Sequence, residues 1–197
     1  MPSDHDRPGV HLGVALREHN DIQTNGVCSA LTYVQGNEEI ELSGLQTAEY
    51  SLHITPLEHQ EFWLSGTLKA SVEQECSRCL KPTVVELSLD LATLLRFDPH
   101  IKEPYLDEDE SDQEVWIFND MWLDLSAYFS EAILMGLPLS VLHDPDCKGL
   151  CPSCGCDLNL NGGLCNRPDC IYRQEASPDE EIDTPFAALK DFNWPDG

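Results

Sequence analysis

Basic residues are scarce in this chain. Its 197 residues include 11 Lys and Arg against 36 Asp and Glu, which gives a formal net charge of −25 at pH 7. Proteins bind nucleic acids mainly by neutralising phosphates with Lys and Arg, so this composition argues against direct binding of RNA or DNA. A basic protein, in contrast, would be attracted electrostatically. The composition therefore predicts a basic protein partner and no direct nucleic-acid contact.

Long apolar runs are also missing. The most apolar stretch, LDLSAYFSEAILMGLPLSVL, is interrupted by Asp124 and Glu131 and is therefore not expected to cross a membrane. The N-terminal residues MPSDHDRPGVHLGV have neither the basic start nor the apolar core of a secretory signal. We expect a cytoplasmic protein that does not associate with membranes. Structural disulfides are disfavoured in that reducing compartment.

Familiar catalytic motifs are a third absence. The sequence contains no phosphate-binding glycine loop, no G-x-S-x-G and no H-E-x-x-H. Its seven histidines are scattered, and only His143 lies near a group of cysteines. These absences predict a protein that is not an enzyme.

The apolar pattern predicts an α+β fold. Residues 66–75 (GTLKASVEQE) and 83–97 (TVVELSLDLATLLRF) alternate apolar and polar residues as half-buried strands do, and CSRCLKP lies between them. They predict a long hairpin with a cysteine pair near its tip. Within 125–137, apolar residues recur at helical spacing, which predicts one packed helix. We therefore expect an antiparallel β-sheet or open barrel-like core with that helix and a cysteine-rich, zinc-ribbon-like element.

Composition divides the chain into four segments. Residues 1–25 are polar and aperiodic, which predicts a flexible N-terminal arm. Residues 26–145 are expected to form the β-rich core, which includes an acidic loop at 103–114. Residues 146–172 form a cysteine-rich metal-binding element, and residues 173–197 form an acidic tail with a short C-terminal helix.

Nine cysteines are the most informative feature that is present. Two pairs have the C-x-x-C spacing, Cys76 with Cys79 and Cys151 with Cys154. Two intervening residues allow both thiolates to face one ion, and zinc prefers four such ligands in a tetrahedron. We therefore predict one zinc site made of these two pairs. Because sulfur would fill all four positions, the zinc would be structural.

A local site in the C-terminal cluster is the close alternative. Its ligands would be Cys147, Cys151, Cys154 and either Cys165 or Cys170. Cys76 and Cys79 would then bind a second ion with remaining ligands such as Cys147 or His143. An iron–sulfur cluster would use the same sulfur ligands as zinc.

Two other classes of function use the same cysteines. A thiol–disulfide oxidoreductase or redox sensor would need a C-x-x-C thiol with a lowered pKa, usually at a helix N-terminus or near cations. Neither pair opens an evident amphipathic helix, so the pattern favours metal binding over redox chemistry. A zinc-ribbon transcription accessory factor is the other alternative. Cys28, in an apolar strand-like run, is predicted to be a core residue.

Four pieces of the sequence resemble the YceD family, in the same order. They are CSRCL (76–80), LDLSAYFSEAILMGLPL (123–139), DCKGLCPSCGCDLNLN (146–161) and TPFAALKDF (184–192). The resemblance extends over residues 26–192. Members of this family are described as large ribosomal RNA subunit accumulation proteins. The resemblance implies a role in accumulation or processing of large-subunit ribosomal RNA during ribosome assembly.

The resemblance and the charge lead to one functional hypothesis. In the YceD family the gene commonly neighbours that of a small basic ribosomal protein. We expect an acidic, zinc-stabilised adaptor that binds a basic ribosomal protein or a large-subunit assembly intermediate. The acidic residues at 103–114 and in the tail are expected to attract this partner.

Overall fold

The computed structural model of the chain describes residues 7–35, 38–58, 60–108 and 114–171. Two compact units can be distinguished. The first contains the residues up to Cys76 together with Leu80–His143, and the second contains Ser77–Cys79 and the residues from Asp144 onward. Among the described residues, no helix has both the length and the apolar composition that crossing a membrane requires.

The regular elements of the described residues lie mainly in the first unit. Its strands are β1 (Gly9–His11), β2 (Ile22–Cys28), β3 (Thr32–Gln35), β4 (Glu38–Glu41), β5 (Leu45–Pro56), β6 (Glu61–Glu75), β7 (Pro82–Phe97), β8 (Tyr105–Glu108), β9 (Glu114–Phe118) and β10 (Trp122–Asp124). Its helices are α1 (Gly13–Glu18) and α2 (Ser126–Gly136). The second unit contains a 3-10 helix at Leu158–Asn161.

Six strands form the main sheet in the order β2-β5-β6-β7-β9-β8. Neighbouring strands are antiparallel except for β7 and β9, which run parallel. In the β6–β7 hairpin every residue of β6 pairs with one of β7, and CSRCLKP lies at its tip as predicted. Leu68, Ala70 and Val72 are buried on one face of β6, which explains the alternation in the sequence.

Helix α2 contributes to the apolar core of the first unit. Phe129 and Ile133, one helical turn apart, are fully buried. The centroid of the Phe129 ring lies 5.1 Å from that of Tyr50 on β5. Phe62 and Phe118 are also buried in this core, with ring centroids 6.2 Å apart. The structure thus confirms the predicted α+β class, with a mainly antiparallel sheet and one long packed helix.

The N-terminal segment differs from the flexible arm predicted for residues 1–25. From Gly9 onward it forms β1, α1 and the start of β2. Leu12 and Ala15 are fully buried in the core of the first unit. So few apolar residues cannot establish a period in the sequence, and the partner of β1 is β10, which is distant in the chain. Residues 1–6 lie outside the described residues.

The predicted acidic loop at 103–114 contains a strand. Tyr105–Glu108 forms β8, which pairs antiparallel with β9, while residues 109–113 lie outside the described residues. A strand at the end of a sheet needs backbone hydrogen bonds but no apolar side chains, so an acidic sequence can form one. The acidic tail and short helix predicted at 173–197 also lie outside the described residues.

Candidate metal centre

The first cysteine pair lies in the turn that joins β6 to β7. The backbone N–H of Leu80 donates to the carbonyl of Cys76 at 2.8 Å, and the N–H of Cys76 donates to the carbonyl of Lys81 at 2.9 Å. Leu80 has the left-handed φ of 62°. Both cysteines of the pair, Cys76 and Cys79, are buried.

The second pair lies in a turn of the same type. The N–H of Gly155 donates to the carbonyl of Cys151 at 2.8 Å, and the N–H of Cys151 donates to the carbonyl of Cys156 at 2.8 Å. Gly155 has a φ of 69°, so the residue after the second cysteine is left-handed in both turns. Glycine adopts this conformation without side-chain strain. The two C-x-x-C segments therefore form turns with the same hydrogen-bond pattern and the same left-handed position.

Cys76 and Cys79 form a group with His143 and Cys147. One ligand atom of each residue, three Sγ atoms and one imidazole nitrogen, lies within 4.8 Å of the others. Three thiolates and one imidazole are a ligand set that structural zinc sites use.

Contacts within the second unit hold Cys147 in place. The Arg78 guanidinium donates to the Cys147 carbonyl at 2.8 Å. The Asn159 side chain donates to the Cys147 Sγ through its Nδ2, at 3.6 Å, and its Oδ1 accepts from the N–H of Lys148 at 2.7 Å. Hydrogen-bond partners of this kind orient metal ligands.

A second group lies wholly within the second unit. Its Sγ atoms, from Cys151, Cys154, Cys156 and Cys165, all lie within 4.8 Å of one another. The Cys165 Sγ lies 3.6 Å from that of Cys154 and 3.4 Å from that of Cys156. The Cys170 Sγ lies 3.6 Å from that of Cys151. Zinc–sulfur bonds of about 2.3 Å in a tetrahedron place sulfurs about 3.8 Å apart, so this donor set fits one zinc ion.

Burial and hydrogen bonds shift the pKa values of Cys165 and Cys170 in opposite directions. A backbone hydrogen bond at Arg167 lowers the pKa of Cys165, but burial and a hydrogen bond with Cys156 outweigh it and raise the pKa to about 11. Burial raises the pKa of Cys170, but hydrogen bonds with Cys151 and other neighbours outweigh it and lower the pKa to about 6. The hydrogen-bonded sulfurs thus favour a thiolate at Cys170, and thiolates are the form that binds metal.

The structure divides the predicted ligands between the two groups. Cys76, Cys79 and Cys147 belong to the first group. Cys151, Cys154 and Cys165 belong to the second, and Cys170 adjoins it. Among the described residues, the two C-x-x-C pairs therefore belong to different groups, and Cys147, which the alternative placed in the local site, belongs to the group of Cys76 and Cys79. One site shared by Cys76, Cys79, Cys151 and Cys154 stays a prediction.

Two group members were not among the ligands preferred from the sequence. Cys156 follows the left-handed Gly155, and this turn brings its Sγ to 3.4 Å from that of Cys165. The third cysteine in C-x-x-C-x-C was the signal for it. His143 gave a weaker signal, because a single histidine in LHDPDC is more often a surface residue. Cys28 stands apart from both groups, and burial raises the pKa of its thiol to about 11.

Comparison with known proteins places these features in a family context. The profile of the family described as Large ribosomal RNA subunit accumulation protein YceD matches residues 64–193. The match includes all of β7, most of β6, α2 and every cysteine of the two groups. No solved structure matches the chain.

Three curated relatives illustrate the range of similarity. An uncharacterized protein of Mycobacterium tuberculosis (strain H37Rv) is 34% identical over 100 residues, which are 51% of this chain and 46% of that protein. An uncharacterized protein of Mycobacterium leprae is 26% identical over 137 residues, 70% of this chain and 55% of that protein. The chloroplastic Large ribosomal RNA subunit accumulation protein YCED homolog 1 of Zea mays is 27% identical over 128 residues, 53% of this chain and 44% of that protein. The chain spans about half the length of the curated relatives it matches.

Proposed function

The chain belongs to the YceD family, and we propose that it supports accumulation of large-subunit ribosomal RNA as a non-enzymatic assembly adaptor. The family match over residues 64–193 is the observation that carries this proposal. The adaptor binds a basic ribosomal protein, alone or within a large-subunit assembly intermediate. Its role is to bring that protein to the assembling subunit.

The charge of the chain supports a protein partner over an RNA partner. A net charge of −25 repels phosphates over most of the surface and attracts Lys-rich and Arg-rich proteins. Lys-rich and Arg-rich proteins bind nucleic acids without sequence specificity, so a basic ribosomal protein would benefit from a partner that shields its charge before it reaches its RNA. An acidic adaptor meets that need through electrostatic complementarity.

Zinc is proposed as a structural component of the adaptor. Cys76, Cys79, His143 and Cys147 would hold one ion, and four of the five sulfurs around Cys165 would hold another. All ligand positions are then protein atoms, so neither zinc has an open position for a substrate. The zinc supplies cross-links that stabilise a cysteine-rich segment with few apolar residues.

The first test measures ribosomal RNA in cells that lack the gene. We expect large-subunit RNA to fall relative to small-subunit RNA, and expression of the full chain to restore the ratio. In vitro, we expect purified protein to bind basic large-subunit proteins with an affinity that falls as salt rises. An unchanged RNA ratio, or tight binding to naked ribosomal RNA without any protein, would contradict the proposal.

The second test counts the metal. Protein purified without added chelator is expected to contain two zinc ions per chain by elemental analysis. One zinc per chain, lost on serine substitution at either Cys76 or Cys151, would support the single shared site instead. Iron with visible absorption would identify an iron–sulfur cluster.

Redox chemistry is disfavoured by the local backbone. Redox-active C-x-x-C motifs usually lie at a helix N-terminus, which lowers the thiol pKa. Here Cys76 follows β6, and Cys79 precedes β7. Cys151 and Cys154 lie in a turn before a bridge at Asp157 and a short 3-10 helix. Oxidoreductase activity that survives zinc removal would support the redox alternative.

A further inference from the structure

A groove with a volume of about 810 Å³ lies along α2 in the first unit. Its other described walls come from β3, from Trp116 on β9 and from the segment before β8. The volume is within the range of about 300–1,000 Å³ that is typical of ligand-binding clefts. All of these walls belong to one unit.

Helix α2 has a second apolar side that faces this groove. Ala127, Glu131, Leu134 and Met135 line it and are spaced as i, i+4, i+7 and i+8, which places them on one side of the helix. The core stripe that contains Phe129 lies on another side. Leu134 is 42% exposed and Met135 is 82% exposed. Helices that are apolar on several sides are normally covered on several sides, and exposed methionines are common in adaptable binding surfaces.

The groove is also acidic. Glu103, Asp124 and Glu131 belong to its lining, and its described lining contains no Lys, Arg or His. The Arg7 guanidinium lies 3.5 Å from the Asp124 carboxylate, but it also lies 3.1 Å from Glu39, so its charge is shared between two carboxylates. The groove therefore combines apolar contact surface with excess negative charge.

We propose that this groove is the docking site for a short, basic, amphipathic segment of the partner protein, an inference that rests on the proposed adaptor function. The apolar side chains of the segment pack on Leu134 and Met135. Its Lys or Arg side chains reach Glu103 and Glu131. The eleven residues of α2 extend over about 16 Å, which equals the length of about three turns of a partner helix. RNA does not fit, because the same carboxylates repel its phosphates.

Three synthetic peptides test the chemistry of this site on the full-length protein. The first places Leu and Lys at helical spacing, the second replaces each Leu by Ser, and the third replaces each Lys by Glu. We expect the Leu–Lys peptide to bind about tenfold more tightly than the Ser–Lys peptide in fluorescence anisotropy, and the Leu–Glu peptide not to bind. Equal binding of the first two peptides would overturn the inference, because charge alone would then explain it.

Matched variants test the location. Glu131→Lys is expected to weaken binding of the Leu–Lys peptide about tenfold at low salt. Asp90→Lys changes the net charge equally at an exposed position outside the groove lining, and is expected to weaken it less than about twofold. Met135→Ser is expected to weaken binding more than Val27→Ser, a substitution at an exposed apolar residue outside the lining. The inference would be overturned if Glu131→Lys weakened peptide binding no more than Asp90→Lys does, or if Met135→Ser weakened it no more than Val27→Ser does.

A second measurement separates this inference from the proposed function. The same variants are incubated with the proteins extracted from purified large ribosomal subunits, and the bound proteins are identified. If the unchanged chain binds none of them, the adaptor function fails. If it binds a basic protein and Glu131→Lys binds that protein as well as Asp90→Lys does, only the groove inference fails. If Glu131→Lys loses binding of that protein and Asp90→Lys keeps it, both the adaptor function and the groove inference are supported.

Discussion

The two units bury different kinds of residue. The core of the first unit contains Phe62, Phe118 and Phe129, together with aliphatic side chains from the sheet and both helices. In the described part of the second unit, Leu158 is the only buried apolar residue that is not a cysteine. Its compact cluster otherwise consists of cysteine sulfurs. The first unit thus has an apolar core, whereas the second has a complete group of four cysteines that could bind a metal.

This difference indicates what each unit needs in order to fold. A β-sheet with a buried aromatic core is stabilised mainly by removal of apolar surface from water. The second unit, whose described part buries one leucine, gains less from that effect, and small units of this kind are usually stabilised by a metal, a disulfide or a partner. Sulfurs of its cysteines lie within 3.6 Å of one another, a spacing that suits metal ligands. Four predictions test the contrast.

Metal removal is expected to have the largest effect. A strong chelator at neutral pH should abolish amide-exchange protection in residues 144–171 while protection in β5 and β6 persists. The expected loss is on the order of 10 kcal/mol, the scale for structural zinc in small domains. Cys165→Ser should weaken zinc binding in the same segment, and Cys28→Ser should not. Persistent protection in 144–171 after metal removal would contradict this view of the second unit.

A cavity in the apolar core of the first unit is expected to have the second-largest effect. Phe129→Ala removes a fully buried ring from α2 and should lower the free energy of unfolding of the first unit by about 3–5 kcal/mol. Phe129→Leu is the matched control and should cost less, because it leaves a smaller cavity. Urea denaturation measures the effect, and amide exchange in residues 151–165 should stay unchanged. A parallel loss of exchange protection there would mean that the two cores are not independent.

The Cys28 thiol makes the first unit sensitive to alkaline pH. Burial raises its pKa from 9.0 to about 11, so the folded state favours the neutral thiol. This contribution to stability is fully present below pH 9 and is lost as the pH rises through about 11. We expect the free energy of unfolding to fall over this pH range by on the order of 2 kcal/mol, and we expect Cys28→Ala not to show this fall. Identical pH profiles for the two proteins between pH 8 and 11 would contradict it.

The smallest effect concerns the two cysteine turns. An added Cβ at Gly155 meets no atom within 4 Å, so Gly155→Ala carries only the cost of a left-handed alanine, about 1 kcal/mol. Leu80 already carries that cost. Leu80→Gly relieves it but loses backbone entropy, and should change stability by less than about 0.5 kcal/mol. Chelator titration measures the effect of Gly155→Ala, and thermal unfolding measures the effect of Leu80→Gly. A larger loss for Leu80→Gly would indicate that its side chain stabilises the turn.

Periodic segments were the part of the fold that the sequence revealed. The β6–β7 hairpin was predictable because its alternation extends over two long strands. Helix α2 was predictable because Phe129 and Ile133 repeat at helical spacing. β1 was not predictable, because three residues show no period. Its partner is β10, and Val10 pairs with Leu123 across more than half of the chain.

The candidate metal centre was predictable in its chemistry but not in its connections. C-x-x-C spacing identifies a local turn, so Cys76 and Cys151 could be recognised as the first residues of ligand pairs. The spacing does not indicate which other cysteines or histidines lie near each C-x-x-C pair. The grouping of Cys76 with His143 depends on the tertiary fold, as does the approach of Cys156 to Cys165.

Strand β8 has one more consequence for the molecule. It is the last strand on its side of the described sheet, and an outermost strand offers unsatisfied backbone groups to any other extended chain. Its sequence, YLDE, places Asp107 on that border, and charge at such a position opposes pairing with a neighbouring copy. β2, at the opposite border, has the uncharged sequence IQTNGVC. Acidity thus also limits aggregation, and it protects one border of the sheet better than the other.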